Sequence, residues 1–345
     1  MPQLSIVIPV YQVVQYLDTC LQSVVSQSLS DFEILLVDDG STDGSAELCD
    51  VWAKKDSRIR VIHQKNAGPT VACLEGVKRA SAEWIAMPDS DDELAGPEIY
   101  REMFDTLMDH HADGIQCSYR AVGWGVNAPT GKDGSGATVF TNTGDLPLRI
   151  MYPTQPQRAA DGCWNPSRCT KLFRRNFLLN ALSKVPPGMR YGEDFVMQIH
   201  YLAQCRRVVL MNDLVGYHYI RRAGSLSNIA DPAQELSHNI RVQECCADVL
   251  AGYISDFDRN AFWTARYWEF FQNMLVPRQN FSLGNYIRTA RLICPPDYRT
   301  ALWRLWQEYN PAPSKIGKFA YHQIIFGHPA IGGAALKMIG KIKGW

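Results

Sequence analysis

Two clusters of acidic residues, each directly after a run of apolar residues, have the side chains best suited to chemistry. Asp38 and Asp39 begin the segment DDGS, and Asp89, Ser90 and Asp91 belong to the segment DSDDE. Carboxylates that are crowded together repel one another, and a hard divalent cation relieves that repulsion. The clusters predict a site for Mn²⁺ or Mg²⁺. The simpler alternative is a pair of capped helix starts with solvated aspartates.

The elements that precede these clusters predict that they lie together. Apolar strands are expected at residues 5–10, 32–37, 59–63, 84–87 and 114–119. Helices are expected between them, and apolar strands separated by helices are typical of an α/β fold with a mostly parallel sheet flanked by helices. Ligands of such sheets bind at the carboxyl ends of the strands. Pro9 and Tyr11 after the first strand, and Asn66 after the third, therefore join the acidic clusters at one edge.

The regular alternation of strands and helices ends after residue 120. A glycine-rich segment, 123–136, is expected to be a loop or irregular hairpin. It is followed by predicted helices at 171–182 and 193–205 and predicted strands at 207–211 and 215–221. Beyond residue 231 the pattern is all-helical. We therefore expect one domain over residues 1–228 and a helical C-terminal region over residues 229–345.

Composition restricts the class of protein. The chain has 345 residues, of which 46% are hydrophobic, and its 35 basic and 35 acidic residues cancel. This excludes disordered and fibrous classes, and the balanced charge predicts no nucleic-acid partner. The ten cysteines include no CxxC pair, which favours reduced thiols and a cytoplasmic location. The N-terminus lacks the features of a signal peptide, and no apolar run is long enough to span a bilayer.

Seven segments, in this order and spacing, resemble family 2 glycosyltransferases of the GT-A fold. They are LSIVIPVYQ, FEILLVDDGSTDGS, HQKNAG, PDSDD, WNPSRCTKLFRR, YGEDF and YHYIRRAGSLS. The resemblance covers roughly residues 1–228 and implies an inverting transfer from a nucleotide-diphosphate sugar, most often a UDP-sugar. It implies donor binding within residues 1–120 and the acceptor side within 121–228. The implied acceptor is a hydroxyl of a glycan or polyprenyl-linked saccharide in cell-surface polysaccharide synthesis.

The resemblance assigns most candidate site residues to the donor. They are Pro9, Tyr11, Asp38, Asp39, Asn66, Asp89, Ser90 and Arg221. Tyr11 would stack on the base, and Asp39, supported by Asp38, would accept a hydrogen bond from it. Asp89 would hold the ribose or the sugar. Arg221 suits a loop that closes over the diphosphate, because the arginine fork matches phosphate geometry; a solvated turn is the alternative.

The remaining candidates concern the metal and the base. The resemblance implies that Asp91, the last residue of the Asp-x-Asp motif, ligates the cation, and that Asp194 is the catalytic base. A single displacement needs such a base, together with an electrophile that stabilises the departing diphosphate. His218 is a further candidate ligand, with a core or half-exposed histidine as the alternative. For Asp194 the alternative is a helix-start carboxylate that interacts with the helix dipole.

One pair of residues departs from the family pattern. Many members carry Arg-Asn in the helix after the Asn-x-Gly turn, whereas this chain has Cys73 and Leu74. An arginine there often reaches the donor or its phosphates, so the departure leaves the identity of the donor open. Lys65 and Arg221 are the candidates for a compensating positive charge.

Three other classes of protein share part of the pattern. A non-catalytic member of the fold would bind carbohydrate or nucleotide without transferring sugar, but the predicted base and the Asp-x-Asp motif are both present. A metal-dependent phosphohydrolase needs its nucleophile two residues before a second acid, whereas Val37 precedes an adjacent acidic pair. A dinucleotide-dependent dehydrogenase needs G-x-G-x-x-G after the first strand, and that motif is absent from the sequence.

The C-terminal tail predicts a peripheral membrane contact. After Glu308 the sequence has no acidic residue, while five lysines alternate with apolar and aromatic residues up to Trp345. The lysines are Lys315, Lys318, Lys337, Lys341 and Lys343. A basic face beside an apolar face is typical of a helix that lies in a membrane interface. The alternative is that the tail packs on the catalytic domain with solvated lysines. The first reading puts the protein at the inner face of the cell membrane.

Overall fold

The structure, a computed structural model, describes most of the N-terminal two-thirds of the chain and short parts of the rest. The described residues are 1–122, 136–141, 164–189, 191–220, 232–251, 299–300, 303, 307, 315–327 and 331–332. The chain divides into two compact units, Met1–Asn228 and Ile229–Trp345. Arg221, nearly all of the glycine-rich segment and the lysines beyond residue 332 lie outside the described residues.

Four parallel strands form the N-terminal half of the sheet. They are β1 (Leu4–Val10), β2 (Phe32–Asp38), β3 (Ile59–His63) and β4 (Trp84–Ala86), in the order β3-β2-β1-β4. The connecting helices are α1 (Val14–Val25), α2 (Ser45–Lys55) and α3 (Pro69–Arg79). Nearly every residue of β1 and β2 is buried, because helices cover both faces of a parallel sheet. These elements confirm the α/β prediction.

The second half of the sheet is mixed. Its strands are β5 (Glu93–Leu94), β6 (Gly114–Val122), β7 (Ala137–Thr141), β8 (Lys171–Arg174) and β9 (Arg207–Ile220). Its helices are α4 (Ile99–Asp109), α5 (Arg175–Ser183) and α6 (Glu193–Leu202). β8 lies between β4 and β6 and is antiparallel to both, while β9 runs parallel to β6 and pairs with β5 and β7. The second half thus combines antiparallel pairs on both sides of β8 with a parallel pair of β6 and β9.

Two sequence-based boundaries in this half are wrong. The helix expected over 171–182 begins with strand β8, because Leu172 and Phe173 are fully buried between the neighbouring strands. The two strands expected at 207–211 and 215–221 are one strand. Irregular pairing with β6 shifts the register between Met211 and Val215, so the local apolar pattern is interrupted while the strand continues.

The described part of the second unit is helical, as expected. It contains α7 (Pro232–Ala251) and α8 (Lys315–Phe326). The Trp303 ring packs edge-on against His322 and Phe326 of α8. In the described ranges, no helix has both the length and the apolar character required to cross a bilayer.

Candidate active site

The carboxyl ends of β2 and β3 are joined by the carboxylate of Asp39. Its Oδ1 accepts hydrogen bonds from Gln64 Nε2 (2.7 Å) and the Ala67 amide (2.8 Å), and its Oδ2 accepts one from the Gly68 amide (2.8 Å). Gly68 has a φ of 94°, which a residue with a Cβ rarely adopts. Asp39 thus holds the exposed turn that carries Asn66. A carboxylate has about four acceptor sites, so the three protein contacts leave one for a ligand.

The loops after β1 and β2 are tied together beside Tyr11. Gln12 Oε1 accepts a hydrogen bond from the Thr42 amide (2.7 Å), and the Asp39 amide donates to the Val10 carbonyl (2.9 Å). Tyr11 remains 51% exposed, and Pro9, within β1, is half-buried. An exposed aromatic ring on a fixed loop is suited to stacking on a planar ligand. The structure therefore brings Pro9 and Tyr11 to the same edge as Asp38 and Asp39.

Asp38 is held from two sides. Its Oδ1 accepts a hydrogen bond from the Ser41 amide (2.9 Å), and its Oδ2 lies 3.0 Å from His63 Nδ1. The other His63 nitrogen, Nε2, lies 3.2 Å from Asp50 Oδ1. The hydrogen bond to Asp38 raises the pKa of His63, with a smaller contribution from Asp50 and opposition from burial. Our sequence reasoning missed His63, although the pairing of β2 with β3 puts it directly opposite Asp38.

Replacement of His63 by glutamine is expected to destabilise the fold mainly in acid. Because the folded pKa is raised above the unfolded value of about 6.5, protonated His63 contributes its full stabilisation below that pH. The contribution is lost as the pH rises through the folded pKa. Since the His63 side chain is 47% exposed, the expected loss is at most about 1 kcal/mol. Urea unfolding at pH 5.5 and 8.5 measures it, with His110→Gln as control. An equal loss at both pH values would contradict the assignment.

The second acidic cluster follows β4 and is largely buried. Ser90 and Asp92 are 5% and 3% exposed, and Asp92 Oδ1 accepts a hydrogen bond from the Ile220 amide (2.7 Å). Burial, and then the negative charge of Asp89, raises the pKa of Asp92 to about 8. Burial also raises the pKa of Asp89, although the positive charge of Arg168 opposes this shift. The cluster therefore holds more negative charge than its surroundings favour, as the sequence predicts for a cation site.

One group of residues has converging ligand atoms suited to a metal. Ligand atoms of Asp89, Asp92 and Cys169 all lie within 4.8 Å of one another. The two carboxylates fit a hard cation such as Mn²⁺ or Mg²⁺. Burial raises the pKa of the Cys169 thiol well above its usual range, so the neutral thiol is a poor ligand for these ions. The half-buried Asp91, the predicted ligand, is not in this group.

His218 lies beside the same cluster. It pairs with Glu93 where β9 meets β5, and its Nδ1 lies 3.0 Å from Glu93 Oε1. Its side chain is 26% exposed, which agrees with the alternative of a half-exposed histidine. Metal ligation by His218 would use Nε2, and this role stays a prediction.

Asp194 lies at the start of α6, close to Asp89. Gly192, with a φ of 76°, precedes the helix, so the chain turns sharply before the two carboxylates Glu193 and Asp194. Arg168 joins Asp194 to the cluster after β4: one terminal nitrogen contacts Asp89 Oδ1 and the other lies 3.0 Å from Asp194 Oδ1. Burial, and then the charge of Asp194, raises the pKa of Glu193 to about 7.

Sequence reasoning missed Arg168, whose one signal was its place in the segment WNPSRCTKLFRR. The buried Cys73 thiol, at the position where the sequence departs from the family pattern, lies within electrostatic reach of Arg168. The exposed Lys65 is a residue of the turn after β3. The structure thus brings an arginine from another segment to the neighbourhood of Cys73.

A cavity adjoins the Asn66 turn. It has a volume of about 200 Å³ and is lined by Asn66, Ala67, Gly68, Thr70, Val71, Gly188 and Met189. The last two residues belong to the segment that leads to Gly192 and α6. The turn held by Asp39 therefore borders the same cavity as Gly188 and Met189, which precede α6 in the chain.

The sequence is similar to those of known glycosyltransferases. The sequence model of the family described as Glycosyl transferase family 2 matches residues 5–180. Glycosyltransferase GlyG of Streptococcus pneumoniae is 29% identical over 231 residues, which are 65% of this chain and 72% of GlyG. Two Bacillus subtilis proteins named as glycosyltransferases, EpsJ and EpsH, are 36% and 38% identical over only 34% of their own lengths.

Two solved structures share the fold. S. aureus TarS 1–349, solved in complex with UDP-GlcNAc, aligns with a TM-score of 0.64 at 18% identity, covering 100% of this chain and 92% of that one. The mannosyltransferase PcManGT of Pyrobaculum calidifontis, solved with GDP-Man and Mn²⁺, aligns with a TM-score of 0.53 at 13% identity, covering 99% and 88%. At these identities the likeness concerns the fold alone, and it confirms the expected GT-A class.

Proposed function

The chain belongs to glycosyl transferase family 2, and on that premise we propose that it transfers a sugar from a UDP-activated donor with inversion. The transferred group is a hexosyl or N-acetylhexosaminyl group. The acceptor is a hydroxyl of a glycan or a polyprenyl-linked saccharide in cell-surface polysaccharide synthesis. The observation that supports this most is the contact of Arg168 with both Asp89 and Asp194. This contact joins the Asp-x-Asp motif and the catalytic base in one centre.

Donor binding and proton removal are assigned to particular side chains. Tyr11 stacks on the nucleobase of the donor, and Asp38 and Asp39 support the pocket that holds this nucleobase. Asp194 removes the proton from the acceptor hydroxyl as the hydroxyl oxygen attacks the anomeric carbon. Its side chain is 28% exposed, so an acceptor can approach it.

A divalent cation, Mn²⁺ or Mg²⁺, completes the proposed centre. When bound, it would neutralise the charge that develops on the departing diphosphate. Asp91 is the ligand that the family pattern implies, and Asp89 and Asp92 are the carboxylates whose oxygens converge with a third ligand atom. His218 Nε2 is the candidate nitrogen ligand.

A donor screen tests the function. Purified protein with Mn²⁺ is incubated with UDP-, GDP- and dTDP-sugars, and release of the nucleoside diphosphate is measured with and without saccharide acceptors. UDP-GlcNAc is the first donor to test, because TarS was solved with it. We expect acceptor-stimulated UDP release, and NMR of the product should give the inverted anomer. A chain that neither binds nor consumes any nucleotide-sugar would contradict the proposal.

We also propose that the protein acts at the cytoplasmic face of the membrane, held there by its C-terminal region. Helix α8, in the described part of that region, has the exposed basic and aromatic side chains that this attachment needs. They are Lys315, Lys318 and Phe319. Each lysine near an anionic leaflet contributes about 1 kcal/mol of binding free energy. Such attachment would bring the active site to a lipid-linked acceptor.

Charge reversal in α8 is expected to weaken vesicle binding. In a liposome co-sedimentation assay with anionic lipid, Lys315→Glu/Lys318→Glu should pellet several-fold less than the wild type at low salt, because two attractive charges become repulsive. Lys54→Glu/Lys55→Glu, on the exposed end of α2, is the matched control. Truncation after Pro313 should abolish binding, and equal pelleting of the truncated and full-length chains would rule out the tail as the anchor.

A further inference from the structure

We propose that Arg168 is a positioning residue that fixes the catalytic base Asp194 relative to Asp89, a carboxylate of the nucleotide-sugar site. The proposal rests on the function proposed above. One terminal nitrogen of the guanidinium contacts Asp89 Oδ1, and the other lies 3.0 Å from Asp194 Oδ1. The amide of Arg168 also donates to Asp194 Oδ2 at 3.3 Å. Arg168 thus holds both carboxylate oxygens of Asp194. Its planar guanidinium sets the spacing between Asp194 and Asp89.

The ion pairs of Arg168 with Asp89 and Asp194 are largely buried. The side chain of Arg168 is 12% exposed, and those of Asp89 and Asp194 are 29% and 28% exposed. Ion pairs at this depth are less screened than surface pairs, and loss of one partner leaves the others with uncompensated charge. Without the guanidinium, the two carboxylates would repel each other and move apart. Lysine keeps the charge but has no fork, so it cannot hold both carboxylates in the same geometry.

The loop that carries Arg168 is itself held by buried side chains. Lys171 is 1% exposed, and its Nζ donates to Asn165 Oδ1 (2.7 Å) and to the Ser167 carbonyl. The indole nitrogen of the fully buried Trp164 donates to Gln198 Oε1 at 2.7 Å. Gln198 belongs to α6, the helix that Asp194 begins. The loop and the helix are therefore joined at a second point, which a rigid arrangement of Arg168 and Asp194 requires.

This geometry assigns Arg168 a larger effect on turnover than on donor affinity, because lysine keeps the positive charge beside Asp89 but lacks the fork that orients Asp194. A displacement of about 1 Å in a catalytic group can cost about 10²-fold in rate. We therefore expect Arg168→Lys to lower kcat by about 10- to 100-fold and to change the calorimetric Kd for the UDP-sugar by less than about threefold. Arg58→Lys is the matched control. Arg58 also forks onto one carboxylate, Asp56, but it lies at the opposite, amino end of β3.

A double-mutant cycle separates positioning from general stability. If Arg168 acts through Asp194, Arg168→Lys should lower turnover by less than about threefold in an Asp194→Asn background, because the two effects are not independent. Normal donor affinity of the same samples verifies that each variant is folded.

Three results would overturn the positioning role. They are full additivity in the cycle, an unchanged kcat in Arg168→Lys, and a tenfold loss of donor affinity with kcat retained; the last would make Arg168 a donor ligand. The wild-type chain is assayed first, and failure of that assay with every nucleotide-sugar would overturn the proposed function and this role with it.

Discussion

Replacing Asp194 by asparagine is expected to lower turnover by about 10²-fold or more while donor affinity stays near the wild-type value. The amide is nearly isosteric with the carboxylate but cannot accept the proton of the acceptor hydroxyl. Its oxygen can still accept the hydrogen bond from Arg168 Nη1, which lies 3.0 Å from Asp194 Oδ1, although the bond from the Arg168 amide to Oδ2 is lost. Steady-state kinetics with the preferred UDP-sugar, together with calorimetry, measure the two effects separately.

Glu193→Gln is the matched variant for this experiment. Glu193 is the neighbouring carboxylate at the start of α6, and burial raises its pKa to about 7, which is a suitable value for a general base. We expect this variant to retain most of its turnover, because Asp194 rather than Glu193 contacts Arg168. The reverse pattern would transfer the role of base to Glu193. A product with retained anomeric configuration would contradict the single-displacement mechanism.

Replacing Asp91 by asparagine is expected to abolish measurable transfer and to weaken Mn²⁺ binding, because a neutral amide is a much weaker ligand for a hard cation. Asp92→Asn is the informative comparison. Asp92 Oδ1 accepts a hydrogen bond from the Ile220 amide, and the amide oxygen of asparagine can also accept it. We expect Asp92→Asn to cost less activity at saturating Mn²⁺ than Asp91→Asn does.

The two variants distinguish the possible ligand sets. Activity is measured over a range of Mn²⁺ concentrations, with Asp105→Asn on the exposed surface of α4 as control. A severe defect in Asp92→Asn with a mild one in Asp91→Asn would make Asp92 the principal ligand, in line with the convergence of Asp89 and Asp92. Full wild-type activity in excess EDTA would contradict a metal-dependent reaction altogether.

Sequence patterns predicted the first half of the sheet well. The strands that end at Val10 and Asp38 are mostly apolar, because both faces of each strand are buried. Such runs are recognisable without any knowledge of their neighbours. The helix that begins at Pro69 was also predicted, since proline favours the first turn of a helix.

The sequence was less informative where pairing decides the structure. Lys171–Arg174 is an apolar-basic tetrapeptide that continues directly into α5, and only its position between β4 and β6 makes it a strand. β5, two residues long, pairs with β9 at His218. A segment this short has no periodicity of its own. Non-local pairing overrides local propensity in both cases.

By itself, then, the sequence determined the α/β class, the family and the acidic residues around which the candidate site is built, because these depend on residue types and spacing along the chain. The tertiary structure decided which groups meet. It gave Asp39 three donors from the turn after β3, paired His63 with Asp38, and brought Arg168 between Asp89 and Asp194, 79 and 26 residues away. Contacts between such distant residues depend on how strands and loops pack, which spacing along the chain does not encode.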